Sequence, residues 1–254
     1  MTRDAVEIAP GIHVMTSRRY ATTSTVVIGG DESLVVDPCW DADELAGVAG
    51  FLGAAGVRCS AGLATHLHYD HVLWHGDLGD VPRWASAWAA DEWTRNRASL
   101  VKPLLGDIPD DLIALAGRVT ALPRGVMPWS QREIVLHEHD AHARGHLAVE
   151  IVDAGVLLAG DMLSDIELPY PDPDEPNLVA YLEGLECLAD AVRRTRVLVP
   201  GHGTPTTSPL ERLDADRRYL DAVLAGRPVD DPRLADPEMK RIHARTVEQA
   251  RATA

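Results

Sequence analysis

His66-Leu67-His68-Tyr69-Asp70-His71 places four metal-ligand side chains within six consecutive residues. The run follows Ala61-Gly62-Leu63-Ala64-Thr65, an apolar segment that reads as a short buried strand, so the cluster lies where the chain leaves a strand. Three imidazoles and a carboxylate gathered without a cation would leave crowded rings and an unpaired charge, which is costly wherever water is excluded. Neutral imidazole nitrogen and carboxylate oxygen are the donors that Zn²⁺ and neighbouring first-row ions accept. The stretch therefore predicts a metal site rather than a solvated group of histidines.

The same grammar recurs downstream. A second rich segment reads His137-Glu138-His139-Asp140-Ala141-His142-Ala143-Arg144-Gly145-His146. The apolar run Val156-Leu157-Leu158-Ala159 breaks at Gly160 and delivers Asp161, and Val197-Leu198-Val199 breaks at Pro200-Gly201 and delivers His202. Each time an apolar strand ends in a turn and a ligand-type residue follows, and strand ends are where α/β sheets build their sites.

In this order the four segments resemble those of metallo-β-lactamase-fold proteins of the glyoxalase II and lactonase type. His66-x-His68-x-Asp70-His71 matches the signature of that superfamily, Asp140 to His146 resembles its second histidine segment, Gly160-Asp161 its bridging carboxylate, and Pro200-Gly201-His202-Gly203 its last ligand segment. The likeness runs from about residue 5 to about residue 225. It implies an αββα four-layer sandwich, an α/β (α+β) fold of two similar halves. It also implies two divalent ions: one held by His66, His68 and His142, one by Asp70, His71 and His202, with Asp161 bridging them beside a shared water or hydroxide. A donor set without cysteine suits Zn²⁺ first and also admits Mn²⁺ or Fe²⁺.

Residue patterning agrees with that architecture. Val6–Ile8 and Ile12–Thr16 read as strands, and Thr25–Gly29 with Ser33–Asp37 as a hairpin across Gly30-Asp31-Glu32. Asp41 is placed to cap a helix through about Ala55, ended by Gly56. Leu147–Asp153 and Val156–Ala159 form a second hairpin, and helices are expected from Asn177, Pro209 and Pro237. The recurrence of strand, strand, helix, strand gives the two halves and puts the ligands at their seam. The chain is expected to form one domain over residues 1–254, with a C-terminal helical tail near 237–252. Four of the six tryptophans (Trp84, Trp88, Trp93, Trp129) fall within 84–130, which predicts a helical, tryptophan-rich lid.

Composition sets the outer bounds. A formal net charge of −15 argues against a nucleic-acid partner, because phosphate binding relies on a field of Lys and Arg. Three widely spaced cysteines make a disulfide framework unexpected and fit a reducing cytoplasm. The N-terminal residues lack the apolar core of a secretion signal, and no run approaches the length of a membrane span. Whether copies of the chain associate is not legible.

The chemistry expected of two close ions is hydrolysis of a small ester, lactone or thioester carbonyl, with Asp70 as the catalytic residue that holds the proton of the attacking water. Around this centre His146 is a candidate to orient a ligand, while Trp74 and His75, just beyond the motif, are candidates for substrate contact. Many relatives carry small residues there, and Trp74 would narrow the pocket; aromatic walls favour an apolar or aromatic acyl group. Lactonases of this type place a tyrosine just after the bridging aspartate, whereas here Met162-Leu163-Ser164 follow and Tyr170 is nine along. The competing reading is a mononuclear iron persulfide dioxygenase on the same fold, which would use His66, His68 and His142.

Overall fold

The computed structural model describes residues 4–171 and 177–253. Two sheets carry the architecture. The first has seven strands in sequential order: β1 (Val6–Ala9), β2 (Ile12–Thr16), β3 (Thr23–Gly29), β4 (Glu32–Val36), β5 (Arg58–Leu63), β6 (Arg83–Ala85) and β7 (Thr120–Ala121). The pairs are antiparallel as far as β4 and parallel from β4 to β7. The second has the order β11-β10-β9-β8, from β8 (Ile134–His139), β9 (His146–Ile151), β10 (Val156–Leu158) and β11 (Val197–Val199). In both, an antiparallel hairpin is followed by a helical crossover to a parallel strand: β3-β4, α1 (Ala42–Ala55), β5 and β9-β10, α4 (Leu178–Arg194), β11. The expected repeat is present, though the first half is extended by the strands at both of its edges.

Period-two alternation along the strands builds the layers. In β4, Leu34 and Val36 face a core shared with Leu147, Val149, Ile151, Val156 and Leu158 of the second sheet, while Val35 turns to the other side, against Val48 and Leu52 of α1. In the second sheet Ala148, Leu157 and Leu198 turn outward to meet Leu185, Leu188 and Val192 of α4. Tyr219 and Leu220 of α5 (Pro209–Leu224), and Met239 and Ala250 of α6 (Pro237–Thr253), join that outer layer, so the C-terminal helix packs into the fold. The layer order is αββα, as the sequence implied.

Helix ends follow local chemistry. Asn177 accepts a bond from Ala180 N at 3.0 Å and starts α4; Pro209 and Pro237 open their helices, where a missing N–H costs nothing. Four strands end earlier than expected, at Val36, Leu63, Ile151 and Leu158; the first two do so because Asp37 and Thr65 leave the ladder for one another. The Thr65 N–H donates to Asp37 Oδ1 at 2.8 Å and its hydroxyl to Asp37 Oδ2 at 2.7 Å.

The tryptophan-rich segment is organised mainly as core. Trp93 of α2 (Ala87–Leu100) is 1% exposed, donates to the Leu67 carbonyl at 2.8 Å, and packs with Leu104 and Leu112, the latter on α3 (Asp110–Leu115). Trp84 and Trp129 pack against the inter-sheet core, and Trp88 alone of the four lines a cleft near the candidate site. Trp74 also departs from expectation. Its ring lies against Gly62 and Arg83 with Leu78 and Val48 in the layer beneath α1, and its Nε1 donates to the Gly79 carbonyl, so its indole is anchored in that core layer.

Candidate metal centre

All the expected ligands emerge from one edge of the sandwich. The loop after β5 carries His66, His68, Asp70 and His71; the β8–β9 connection carries His142; Asp161 follows β10 and His202 follows β11. Donor atoms of His66, His68, His142 and Asp161 lie within 4.8 Å of one another, and so do those of Asp70, His71 and His202. The two groups are joined by Asp161, whose Oδ2 is 3.5 Å from His66 Nε2 and His142 Nε2 and 3.2 Å from His202 Nε2, while Oδ1 is 3.2 Å from His71 Nε2.

The hydrogen-bond partners behind each ring determine which nitrogen faces inward. His142 Nδ1 donates to the Tyr170 carbonyl at 2.8 Å, so its Nε2 presents a lone pair, 3.1 Å from His68 Nδ1. His66 Nε2 is 3.0 Å from the same His68 atom, and its Nδ1 is backed by the Thr65 hydroxyl at 3.0 Å. His71 Nδ1 donates to Asp37 Oδ2 at 3.0 Å, and His202 Nδ1 to the Tyr20 carbonyl at 3.0 Å. In the second group, then, imidazole lone pairs point at the carboxylate oxygens of Asp70 and Asp161.

That arrangement fits a cation and little else. His71 Nε2 and Asp161 Oδ1 are buried, face each other, and have no hydrogen bond among the described residues. Burial opposes charge on His71 and His202, yet the Asp161 and Asp70 carboxylates hold both imidazoles well above their ordinary range. In the first group burial dominates: His66 is pushed well below the usual imidazole value and His142 down to about 4. His66 and His142 thus offer neutral imidazole lone pairs, while in the second group the Asp70 and Asp161 carboxylates face His71 and His202; imidazole nitrogens and carboxylate oxygens are the donors by which divalent ions are held. The residues present fit two such ions.

Glycines make the close approach feasible at two positions. A Cβ at Gly160, whose φ is +54°, would lie 2.4 Å from His146 Nε2, and one at Gly201 would lie 2.0 Å from Asp161 Oδ1. His146 itself accepts the Asp161 backbone N–H at 3.1 Å and stacks between His66 and His139, which places it behind the bridging carboxylate. His75 is not brought to the centre: its Nδ1 accepts the Asp77 N–H and caps the single turn Gly76–Leu78. Among the groups that sequence reasoning missed are Glu167, whose carboxylate gathers with Asp161 and His202, Thr65, and the carbonyls of Tyr20 and Tyr170. Thr65 has only its place between β5 and His66 as a signal, and backbone acceptors carry none.

Beside His142 a cleft of about 1320 Å³ opens between α2 and α4, lined among others by Leu67, Trp88, Glu138, Arg144 and Glu183. Four carboxylates (Glu92, Glu138, Asp140, Glu183) and two guanidinium groups (Arg95, Arg144) stand around it.

Known proteins share this design. The family model for the metallo-beta-lactamase superfamily matches residues 18–226. This chain belongs to that superfamily. A metallo-beta-lactamase family protein from Thermus thermophilus superposes with a TM-score of 0.67 at 21% identity, covering 87% of this chain and 82% of that one. A beta-lactamase domain protein from Burkholderia ambifaria gives 0.65 at 19% identity over 87% and 76% of the two chains. The metallo-beta-lactamase FIM-1 of Pseudomonas aeruginosa, in its mono-zinc form, gives 0.63 at 15% identity over 87% and 96%. At such identities the likeness is one of fold. In sequence, ribonuclease Z of Mycolicibacterium paratuberculosis is 47% identical over 73 residues, 28% of this chain and 24% of the relative, so the match spans about a quarter of that protein.

Proposed function

We propose that the protein is a dinuclear metal-dependent hydrolase acting on the carbonyl of a small ester, lactone or thioester. The observation that carries this reading is the completeness of the donor set, two adjoining groups sharing Asp161, with His71 Nε2 and Asp161 Oδ1 buried and lacking hydrogen bonds among the described residues. His66, His68 and His142 would hold one ion, Asp70, His71 and His202 the other, and Asp161 both. Divalent ions bound there, zinc before manganese or iron, bring the pKa of a water close to neutrality and polarise a carbonyl oxygen.

The chain's own groups do the rest. Asp70 makes both of its imidazole contacts through Oδ2, at 3.4 Å to His71 and 3.3 Å to His202, which leaves Oδ1 as the atom to hold the proton of the attacking water. Asp37 and the Tyr20 and Tyr170 carbonyls lock the ligand rings, and His146 fixes the backbone of Asp161. Carboxylates outnumber guanidinium groups around the neighbouring cleft, and the chain carries a net charge of −15; both favour a small substrate over RNA, despite the partial likeness to a ribonuclease Z. Cys39, Cys59 and Cys187 form no disulfide among the described residues. Among the described residues no helix is long and apolar enough to cross a membrane.

The test is elemental analysis of protein purified without an affinity metal, followed by a panel of esters, lactones and thioesters. About two zinc or manganese ions per chain are expected, together with turnover that Asp161→Ala abolishes along with most metal loading. A single iron with oxygen uptake on persulfides would replace this reading by the dioxygenase.

A further inference from the structure

On the Asp70–His202 side of the centre three aromatic rings gather. Tyr20 and Trp40 lie 5.9 Å apart between centroids at 50°, and Trp40 and Tyr69 5.4 Å apart at 62°. Trp40 is 4% exposed, whereas Tyr20 is 66% and Tyr69 37% exposed, so a buried indole backs two phenol rings that face solvent. Both tyrosines are tied to the ligands. Tyr69 stands between His68 and Asp70 in the chain. Tyr20 offers its carbonyl to His202 Nδ1 at 3.0 Å, and Trp40 Nε1 donates to the Thr22 hydroxyl, itself 3.2 Å from the same His202 atom.

The turn that presents Tyr20 is unusually well fixed for an exposed aromatic. Tyr20 and Ala21 adopt φ of +53° and +49°, a region non-glycine residues enter at a cost and hold only when their surroundings impose it. Here the surroundings do. Ser17 N donates to the Thr22 carbonyl at 2.8 Å, the buried Glu44 carboxylate takes bonds from the Ser17 hydroxyl and Arg18 N, and Arg18 and Arg19 both pair with Asp41 at 2.7 Å. Arg19 also lies 5.6 Å over the Trp40 ring. A stapled turn that holds a large apolar ring in water, beside a metal ligand, is preorganised for a ligand rather than for the core.

We propose that Tyr20 and Tyr69, backed by Trp40, are the specificity wall of the centre, and that the preferred substrates carry an aryl or arylalkyl acyl group that packs against these two rings. The inference rests on the hydrolase reading above and gives its acyl group a chemistry. Aromatic rings meet one another with a preference beyond the area they bury, so an aryl group gains on this wall what a linear alkyl chain of equal size does not. Tyr20 and Tyr69 thus take the role that Trp74 was expected to fill.

The experiment uses zinc-loaded protein and two probes of similar size, phenylacetate and hexanoate, with the matching methyl esters. Binding of the acids is measured by calorimetry, ester turnover separately, and zinc content for every variant. Tyr20→Leu and Tyr69→Leu should each weaken phenylacetate binding, and raise KM for its ester, about 2- to 12-fold, with hexanoate and zinc content unchanged. Tyr69→Phe should keep the preference, because the ring and not the hydroxyl provides it. Should Tyr69→Leu disturb zinc, Tyr20→Leu alone decides. Loss of both acids in equal measure, no change for either, or no preference in the unaltered protein overturns the wall. Tyrosine-dependent phenylacetate binding without hydrolysis of any ester, lactone or thioester of the panel upholds the wall and sinks the hydrolase reading instead.

Discussion

Asp37 shows how much of the centre is decided by a residue that would touch no ion. It is 4% exposed, with φ +49°, and its carboxylate takes the Thr65 N–H, the Thr65 hydroxyl and His71 Nδ1. One side chain therefore fixes the mouth of the histidine loop and sets which nitrogen of His71 faces Asp70 and Asp161. Asp37→Asn keeps the volume and removes the charge behind His71, which makes that imidazole a poorer donor. Metal affinity should fall about 10- to 100-fold, read by competition with a chromophoric chelator, while far-ultraviolet circular dichroism stays as in the parent. Unchanged affinity would show that Thr65 and the loop backbone orient His71 without the carboxylate.

Glu150 does for two secondary-structure elements what Asp37 does for a loop. It lies on the outward face of β9, where Ala148 meets the helical layer, and its carboxylate accepts from Arg194 Nε and Nη2 at the end of α4, at 2.6 and 2.7 Å. His137 Nε2 of β8 closes the other side at 2.8 Å. The Arg194 bonds, opposed by burial and aided by His137, hold the Glu150 carboxyl below its usual range. A lowered folded value means that this stability is complete above the unfolded-state pKa of about 4.3 and drains away as pH falls through the folded value. Because Arg194 is half exposed, Glu150→Gln should cost only about 1 kcal/mol at pH 7. Urea unfolding of metal-free protein at pH 7 and pH 3 should show that difference at the higher pH and little of it at the lower. An equal difference at both would place the effect in packing.

The same elements show what a sequence can disclose. Strand and helix ends were legible wherever a short-range chemical rule sets them, as at Gly56, Asn177 and Pro209, and the ligand positions because each follows a broken apolar run. The packing of Trp74, Trp84, Trp93 and Trp129 was not legible for the opposite reason. Composition marks an aromatic residue as something to bury, but which layer buries it depends on register and crossover. The carbonyls of Tyr20 and Tyr170 were invisible because any residue has one. Tyr20 itself becomes informative only once the turn between β2 and β3 is seen folded back against His202.

Over the molecule as a whole, the centre is a seam. The loop after β5 brings its donors from the first sheet, while His142, Asp161 and His202 come from the second, so a bound ion ties together two halves that otherwise meet through the apolar layer between the sheets. Without a cation the seam holds the Asp70 and Asp161 carboxylates in close quarters, facing imidazoles that must take up protons to offset them. Ions that bind only the folded chain must therefore stabilise it. At a free concentration about 100-fold above Kd the gain is about 2.7 kcal/mol per site, and for a chain of this size each kcal/mol raises Tm by about 2–4 °C. Chelation of both ions followed by calorimetry should lower Tm by about 10–20 °C relative to the zinc-loaded protein, and adding zinc back should restore it. Asp161→Ala should respond far less, because the residue that joins the two groups is gone. If chelation left Tm unchanged in a protein shown to have held zinc, the unfolded chain would bind the ions as well as the folded one does. For Asp161→Ala, a zinc effect as large as in the parent would mean that the two groups hold their ions independently, and the bridging role of Asp161 would fall.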